Sequence, residues 1–432
     1  MMVPGSRLLL AAALVVLPAF TLAGMAPALA VPCAMVLAAC FAAAVADAAL
    51  GRRSLDMLHA HVPNLLRLTK DVPAKLAITL ENRSPRTLSL RAALAMPEGV
   101  QTEQAIETVN LQPGRSAIEW RCTGSTRGDH ALRALHIETS SPLGLWLARG
   151  RLAVDCDLRV YPNLRDRATA ALFLRAPNAG VRVHRQVGKG REFERLREYM
   201  PGDSYEDIHW KATARRRVPA VKLYQVEHAQ EVYVVIDSSR LSAREQILES
   251  YVTAGLHLAL AAQRQGDRFG LITFSDRPHR LVRARSGMDH FRLCREAIYN
   301  LQARRVSPDF RELFTSIQLN LRRRSLLIFF TSLDDPLLAE TFEHEVPLIA
   351  RRHLVLVNVM RTAGLKPLFQ GEVPADLESA YGALAGQMRW NQMRQLQIAL
   401  HDRGVRLAVV EPGEIKAQAT AAYLDIKRRQ LL

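Results

Sequence analysis

Residues 197–217, REYMPGDSYEDIHWKATARRR, contain side chains that could do acid–base or metal-assisted chemistry. A metal-dependent hydrolase or nuclease needs acids to hold the metal and a base or cation close by. A nuclease of this type also places an acid two residues before its lysine, where this chain has a histidine. A hydrolase or nuclease is therefore an incomplete match, and it stays open as the alternative function. Its candidate residues are Asp203, Glu206, Asp207, His209 and Lys211.

The same stretch also has the features of a capped turn followed by a helix. Pro201 and Gly202 suit a type II turn, because proline presets one φ angle and glycine accepts the positive one. Asp203 can then cap a helix, with Glu206 completing a capping box. We expect a helix over residues 204–216 with an inward apolar row and a charged row: Tyr205, Ile208 and Ala212, and Asp207, Lys211 and Arg215.

A second group of polar residues follows the apolar run VYVVID at 232–237, which predicts a buried strand. Asp237, Ser238 and Ser239 lie at the end of this strand, where ligands gather in open α/β sheets. The segment resembles the first motif of von Willebrand factor A-like domains, D-x-S-x-S, and DRFGLITFSD at 267–276 is similar to their second strand. The resemblance implies a site for one divalent cation, with Asp237 and Ser239 as candidate Mg²⁺ ligands.

The chain departs from that metal-binding motif at two positions. Leu241 replaces a hydroxyl residue, and Thr331 is followed by Ser332 where an Asp is usual. Because Mg²⁺ prefers several oxygen ligands, two interpretations stay open: cation binding, or a structural role in which Asp237 and Ser239 bond backbone groups. The remaining candidates for the missing oxygen ligands are Ser307, Asp334 and Asp335.

Residues 231–432 must position Asp237, and their pattern predicts an α/β domain with a parallel sheet. The resemblance implies the von Willebrand factor A-like form of this Rossmann-type fold. Apolar runs alternate here with amphipathic helical windows. We expect helices at 242–264, 289–303, from 307, from 336, before Gly404 and at the C-terminal end. The expected strands lie at 232–237, 268–274, 325–331, 353–360 and 405–410.

Residues 54–164 have a different pattern, in which short apolar stretches alternate with turn clusters. This spacing predicts an all-β sandwich domain. Strand alternation is visible at Leu76, Ile78 and Leu80, whose side chains share one face. Residues 165–230, which include REYMPGD and IHWKATARR, are the predicted linking segment between the sandwich and the α/β domain.

Residues 1–53 contain two apolar runs, each near the ~20 residues that a membrane-spanning helix needs. Asp47 is the one charged residue inside the runs, near the end of the second, where it could reach the membrane interface. Arg7 precedes the runs, Arg52 and Arg53 follow them, and positive flanks stay in the cytoplasm. The sequence therefore predicts a transmembrane helical hairpin in the bacterial inner membrane, with the soluble domains in the cytoplasm.

A cleaved signal peptide is the competing interpretation of this N-terminal region. Ala28-Leu29-Ala30 fits a small-x-small cleavage site. The second apolar run and the arginines after it favour the hairpin, since they are typical of a stop-transfer sequence. The formal net charge of +16 fits a protein that faces anionic lipid, and the five cysteines show no metal-type pairing.

Several segments in fixed order resemble one protein family. REYMPGD…IHWKATARR, preceded by RGDHALRALHIETSSPLGLW and followed by VVIDSS and AAYLDIKRRQLL, resembles the bacterial membrane proteins grouped as domain of unknown function 58. The resemblance covers nearly the whole chain and implies a von Willebrand factor A-like domain, a MoxR-type AAA+ ATPase as partner, and no established reaction. The residues that we assign to the family motif or to interaction are Arg197, Tyr199, Pro201, Gly202, Asp203, Ile208, His209, Trp210, Lys211, Ala214 and Arg215.

These patterns favour a membrane-anchored, non-enzymatic interaction or scaffold protein. No nucleophile–base pair and no Gly-rich phosphate loop stands out in the sequence. We expect the cytoplasmic α/β domain to dock a MoxR-type ATPase during assembly or maturation of a complex. Nucleic acid is not an expected partner, because the basic runs at 215–217 and 322–324 lack stacking aromatics and a DNA-binding motif.

Overall fold

The computed structural model describes residues 1–165, 187–200, 205, 208–216, 218–225, 230–244, 247–362, 364, 365, 367 and 376–429. The chain divides into two compact units, Met1–Asn163 and Leu164–Leu432. Each unit has a hydrophobic core of its own. The finer domain bounds at residues 53, 164 and 230 stay predictions.

The first unit contains the predicted pair of apolar helices. Helix α1 spans Ser6–Met25 and helix α2 spans Ala30–Asp56, joined by a 3₁₀ turn at Pro27–Leu29. Both helices are long and apolar enough to cross a membrane. Their large side chains are widely exposed, with Leu14 and Phe20 at 74% each, which suits lipid better than water.

Two sheets of the first unit enclose one core. Leu76, Ile78 and Leu80 are 0, 0 and 1% exposed, so the predicted alternation is seen in the structure. The strands are β1 (Met2–Pro4), β2 (Leu58–His61), β3 (Leu65–Thr69), β4 (Pro73–Asn82), β5 (Leu88–Leu94), β6 (Val100–Thr102), β7 (Glu107–Leu111), β8 (Gly114–Gly124), β9 (Gly128–Ser140) and β10 (Trp146–Tyr161). One sheet has the order β1-β10-β9-β5-β7, with β3 also paired to β10, and the other has the order β2-β4-β8-β6.

Both ends of the helix pair join these sheets. Strand β1 lies just before α1 and pairs antiparallel with β10, with Met2 opposite Ala148. Strand β2 follows α2 and pairs with β4. The two helices therefore form a hairpin whose ends are tied to the same β structure. The pairing of β1 was not predicted, because three residues carry no readable strand pattern.

In the second unit, β11 (Val187–Glu198) pairs antiparallel with β12 (Ala220–Gln225), and α3 spans Trp210–Arg216. Ile208 forms an isolated bridge with Val221. The expected helix over 204–216 is therefore wrong at Ile208, because backbone pairing holds that residue beside β12 and α3 begins only at Trp210. Tyr205 was expected to face inward, but it is 74% exposed.

Within the described residues, the second unit also contains a six-stranded sheet. Its strands are β13 (Glu231–Asp237), β14 (Arg268–Phe274), β15 (Pro278–Arg285), β16 (Leu326–Phe330), β17 (Leu354–Met360) and β18 (Val405–Val410). Their order in the sheet is β15-β14-β13-β16-β17-β18. All pairs are parallel except that of β15, an antiparallel edge strand. The five parallel strands lie close to the predicted ranges. Strand β15 was not predicted, because PHRLVRAR has no continuous apolar run.

Helices cover both faces of this sheet. Val234 and Ile236 join a core with α4, α5 and α10, whereas Tyr233 and Val235 join a second core with α6, α7 and α9. Burial on both faces explains the unbroken apolar run of β13. The mixed α/β character predicted for this region is therefore confirmed. The helices are α4 (Ile247–Arg264), α5 (Met288–Ile298), α6 (Phe310–Asn320), α7 (Pro336–Glu345), α8 (Pro347–Ala350), α9 (Leu377–Asp402) and α10 (Ile415–Arg428).

Candidate functional site

Asp237 ends β13 and is completely buried at the carboxyl edge of the parallel strands. Its Oδ2 accepts a hydrogen bond from the Thr331 hydroxyl at 2.7 Å, and its Oδ1 accepts one from the Ser239 backbone N–H at 2.8 Å. Burial raises the pKa of Asp237, because an ionised carboxylate loses its hydration there, and the hydrogen bonds from Thr331 and Ser239 oppose this rise. Both carboxylate oxygens thus have partners within the protein.

Tyr251 on α4 extends this network to the next strand. Its hydroxyl donates to the Thr331 carbonyl at 2.9 Å and accepts a hydrogen bond from the Met360 N–H at 3.4 Å. Its ring lies 5.6 Å from that of Phe330, measured between centroids. Complete burial raises the pKa of Tyr251 far above its ordinary value, so the hydroxyl keeps its proton. One buried network therefore joins the ends of β13, β16 and β17.

Ser238 and Ser239 are also completely buried, and both bond backbone groups. The Ser238 hydroxyl donates to the Phe274 carbonyl at 2.8 Å, which ties β13 to β14. The Ser239 hydroxyl accepts a hydrogen bond from the Leu241 N–H at 3.4 Å and opens the 3₁₀ turn Arg240–Ala243. These contacts match the structural role that the sequence left open for this motif.

Arg240 contacts two of the residues that were candidates for the missing metal ligands. Its Nε donates to the Ser307 hydroxyl at 3.0 Å, and its Nη2 donates to Asp335 Oδ2 at 3.2 Å. Asp335 also caps α7, because its Oδ1 accepts a hydrogen bond from the Leu337 N–H at 3.1 Å. A guanidinium therefore links the loop after β13 to the loops before α6 and α7. Sequence reasoning missed this role, although Arg240 lies inside the D-S-S-R-L motif.

The donor set does not fit a divalent cation as it stands. The Asp237 oxygens and the Ser239 hydroxyl have protein partners, and the third motif position is the buried apolar side chain of Leu241. Ser307 and Asp335 are bonded to a guanidinium. Among the residues that the structure describes, no three His, Cys, Asp or Glu side chains are grouped as a metal site. Mg²⁺ at Asp237 and Ser239 remains a prediction from the sequence.

A cavity of about 720 Å³ opens beside this network, at the same edge of the sheet. Its walls come from the turn after β13, the loop after β16 and helix α9. This volume lies within the range of roughly 300–1,000 Å³ that is usual for ligand pockets, at the place where α/β sheets bind ligands. We name it the strand-edge cleft. Its charged residues have both signs and include Arg240, Arg244, Arg389, Asp334 and Asp335.

Asp334 is a partly buried acid of the strand-edge cleft. Partial burial raises its pKa, while hydrogen bonds from the Ser332 and Thr362 hydroxyls and the charges of Arg244 and Arg389 act against this rise. The cleft therefore combines a carboxyl group that gives up its proton reluctantly with two nearby arginines. Such a mixed surface can pair with charged side chains of a second molecule.

A serine–histidine contact follows β14 and bears on the question of catalysis. Ser275 Oγ lies 2.6 Å from His279 Nε2 and 2.6 Å from Asp276 Oδ1. In a nucleophilic triad the acid bonds the other ring nitrogen of the histidine, and the serine is open to substrate. Here Asp276 bonds the serine itself, and Ser275 is completely buried. The contact therefore stabilises the turn between β14 and β15.

His209 in the family motif caps helix α3. Its ring Nδ1 accepts a hydrogen bond from the Ala212 N–H at 3.0 Å, and its backbone N–H donates to the Ala220 carbonyl at 2.8 Å. The Thr213 hydroxyl donates to the His209 carbonyl at 3.2 Å and accepts a hydrogen bond from the Ala220 N–H at 3.1 Å. These bonds fasten α3 to β12, so His209 has a structural task that does not require acid–base chemistry.

Other motif residues divide into packed and exposed positions. Ile208 is buried, and the rings of Tyr199 and Tyr205 stack with centroids 5.9 Å apart. Trp210 is 68% exposed, an unusual position for so large an aromatic side chain. Lys211, Ala214 and Arg215 are exposed on α3, and Arg197 lies on β11 opposite Val221.

Five of the residues predicted in this stretch lie outside the described residues. The hydrolase cluster is thus described only at His209 and Lys211, and it stays a prediction. The five residues are Pro201, Gly202, Asp203, Glu206 and Asp207.

Comparisons with known proteins give a family match over part of the chain. The family model "Protein of unknown function DUF58" matches residues 195–373. The uncharacterized protein YeaD of Bacillus subtilis (strain 168) is 25% identical over 221 residues, which cover 47% of this chain and 51% of YeaD. This chain therefore spans about half the length of that curated relative.

Two solved structures are distantly similar to parts of this chain. The SpRpn10 VWA domain is 12% identical with a TM-score of 0.27, and the match covers 44% of this chain and 94% of that chain. Alpha-2-macroglobulin of E. coli is 15% identical with a TM-score of 0.18, over 23% of this chain and 6% of that chain. Neither score is high enough to assign a fold or a function.

The family match and the similarity to YeaD confirm the resemblance predicted from the sequence. The matched residues include His209, α3, Asp237 and the strands up to β17. The family model matches residues 195–373, so this part of the chain is similar to the DUF58 proteins of unknown function, and a resemblance over nearly the whole chain stays a prediction.

Proposed function

We propose that the chain is a membrane-anchored, non-enzymatic interaction protein whose α/β unit docks a partner in the strand-edge cleft. One observation carries this proposal. The groups best placed for chemistry at the strand edge, Asp237 and Ser239, are buried and bonded, while an open charged cleft lies beside them. Bonded groups can hold strand ends in place, and an open cleft can accept a side chain or loop of another protein.

Anchoring in the bacterial inner membrane is supported by the helix pair. Helices α1 and α2 have the length and hydropathy of membrane spans, and their ends are tied to the same β structure. Arg7, Arg52 and Arg53 flank these ends, and the positive-inside rule puts such flanks in the cytoplasm. In this proposal the sheets and the α/β unit both face the cytoplasm.

The partner that we infer is a MoxR-type AAA+ ATPase, acting in assembly or maturation of a complex. The inference comes from the family resemblance, and the charges of the cleft suit it. Arg244 and Arg389 can pair with acidic side chains of an incoming loop, which would make docking sensitive to salt.

Photo-crosslinking in native membranes tests the proposal. A photo-reactive amino acid replaces Gln392, an exposed residue of α9 that lines the cleft. We expect a crosslinked product that contains an AAA+ ATPase in the wild-type background. Arg389→Glu should remove the product, because it reverses a cleft charge. Arg394→Glu is the matched control, an exposed arginine of the same helix that does not line the cleft.

Two results would contradict docking in the cleft. Equal amounts of the ATPase product from Arg389→Glu and Arg394→Glu would mean that the cleft charge plays no part. A product that contains no AAA+ ATPase in any background would exclude the inferred partner at this position.

A further inference from the structure

Asp47 is a buried acid near the end of the apolar run of α2, and a β-hairpin supplies its partners. It is 2% exposed on α2. Its Oδ2 accepts a hydrogen bond from the Ser141 hydroxyl at 2.5 Å, and its Oδ1 accepts one from the Leu143 N–H at 2.9 Å. Both donors belong to residues 141–146, the turn between β9 and β10 together with the first residue of β10, which read SPLGLW and which we name the SPLGLW tip. Asp47 was expected to reach the membrane interface. In the structure its carboxylate oxygens accept hydrogen bonds from the SPLGLW tip.

Further contacts hold the tip against both apolar helices. The Trp146 indole N–H donates to the Ala44 carbonyl of α2 at 2.9 Å. At the start of α1, the Gly5 N–H donates to the Leu145 carbonyl at 2.8 Å. Gly144 has a φ of 69°, and a Cβ added to it would lie 3.0 Å from Arg7 Nη1, so the arginine packs directly on the tip. The tip is therefore a fixed part of the helix pair.

The depth of these contacts places the tip at the level of lipid. Ala44 lies eight residues before Arg52 on α2, which is about 12 Å along a helix axis. One headgroup layer is only about 5–7 Å thick. If Arg52 and Arg53 lie at the outer side of the headgroups, the Ala44 carbonyl that the Trp146 indole bonds lies within about 7 Å of the boundary between headgroups and hydrocarbon. This is the level that tryptophan prefers in membrane proteins.

The exposed surface of the tip is apolar. Leu143 is 59% exposed, next to Pro142 and to the exposed apolar side chains of α1 and α2. A carboxyl group on a membrane helix is costly unless it is hydrogen-bonded. The two hydrogen bonds to Asp47 offset part of this cost, and they exist only while the tip stays at that depth.

We propose that the SPLGLW tip is a third membrane-contact element, inserted into the interfacial layer of the lipid bilayer and held there by Asp47. Leu143 contacts the acyl chains, and Arg7 reaches the headgroups from beside Gly144. The tip would thereby fix the height of the β sheets above the membrane. The inference rests on the membrane anchoring proposed for α1 and α2.

Fluorescence quenching of single-cysteine variants tests this insertion, with the full-length protein in vesicles of phosphatidylethanolamine and phosphatidylglycerol. Cys33→Ala and Cys40→Ala leave a background in which the three remaining cysteines are buried. An environment-sensitive dye is then attached at Leu143→Cys. The aqueous control is Thr126→Cys, at the other end of β9, about 45 Å away at the usual strand rise. Leu14→Cys, an exposed position on α1, is the membrane reference.

We expect lipid-borne nitroxide to quench Leu143→Cys several-fold more than Thr126→Cys, and aqueous iodide to show the reverse order. Quenching of Leu143→Cys by iodide, as at Thr126→Cys, would overturn the proposal. Protection of Leu143→Cys from both quenchers would also overturn it, since protein and not lipid would then cover the tip. If the lipid-borne nitroxide does not quench Leu14→Cys, the membrane anchoring by α1 and α2 is contradicted. If it quenches Leu14→Cys but not Leu143→Cys, the anchoring stands and only the insertion of the tip is contradicted.

Discussion

Replacing Thr331 with valine removes the hydroxyl that donates to Asp237 and keeps the shape of the side chain. Both residues are completely buried, and the donor and acceptor oxygens are 2.7 Å apart, so no solvent replaces the lost donor. A buried acceptor that loses its donor costs about 1–3 kcal/mol. For a unit of this size, that loss corresponds to a fall in Tm of roughly 2–12 °C. We expect this fall for Thr331→Val, measured by calorimetry on the full-length protein in detergent.

The matched control is Thr341→Val on the surface of α7. The Thr341 hydroxyl donates to the Leu337 carbonyl at 2.8 Å in an exposed position. Its removal should change the stability by no more than about 0.5 kcal/mol. Hydrogen exchange should report faster opening of β13 and β16 in Thr331→Val alone. If the two variants melt at the same temperature, the bond between Thr331 and Asp237 does not hold the strand edge, and the reasoning is refuted.

The pH dependence of stability tests the role of Asp237 in the same network. Burial raises the pKa of Asp237 in the folded state, so the folded state binds more protons between the unfolded and the folded pKa. The contribution of Asp237 to stability therefore falls as the pH rises through this window. Asp237→Asn should remove that fall, seen as a smaller change in Tm from about pH 4 to about pH 8. A Tm that rises with Mg²⁺ in the wild type and not in Asp237→Asn would contradict a structural role.

The remaining predictions concern bonds elsewhere in the α/β unit. Arg240→Gln should cost less than about 1 kcal/mol in thermal melts, because the ion pair with Asp335 is partly exposed to solvent; a larger loss would show a tighter link between the loops. His209→Asn should keep the cap of α3, whereas His209→Ala should lower the stability by about 1 kcal/mol. If both variants stay as stable as the wild type but lose the cellular phenotype equally, chemistry at His209 is favoured. Asp267→Asn should cost about 1.5–3 kcal/mol, because it weakens the bond between the buried Asp267 carboxylate and the partly buried Lys427 ammonium at 2.8 Å; an unchanged Tm would contradict this.

The sequence predicted those parts of the fold that rest on local periodicity. The run VYVVID is apolar at every position up to Asp237 because both faces of β13 are buried, so its strand could be read directly. The edge strands β1 and β15 were not predicted, because they lack such a continuous apolar run. Strand β1 has three residues and pairs with a strand more than a hundred positions away, and β15 alternates between partly buried and exposed positions without a long apolar run.

The candidate site was only partly predictable. The motif residues Asp237 and Ser239 could be found, because their types and their place after a strand are visible in the chain. The links from Arg240 to Ser307 and to Asp335 span 67 and 95 residues, and they depend on how three loops meet at the strand edge. No local pattern contains that information. The same holds for Asp47, whose partners in the SPLGLW tip lie 94 and 96 residues away.

The affinity between the full-length protein in lipid nanodiscs and a MoxR-type ATPase of the same organism tests docking in the strand-edge cleft most directly. We predict measurable binding to the wild type and to Arg394→Glu, and binding weaker by about tenfold or more, or about 1.4 kcal/mol, to Arg389→Glu. Equal affinity of all three proteins, or no binding to the wild type, would contradict the claim.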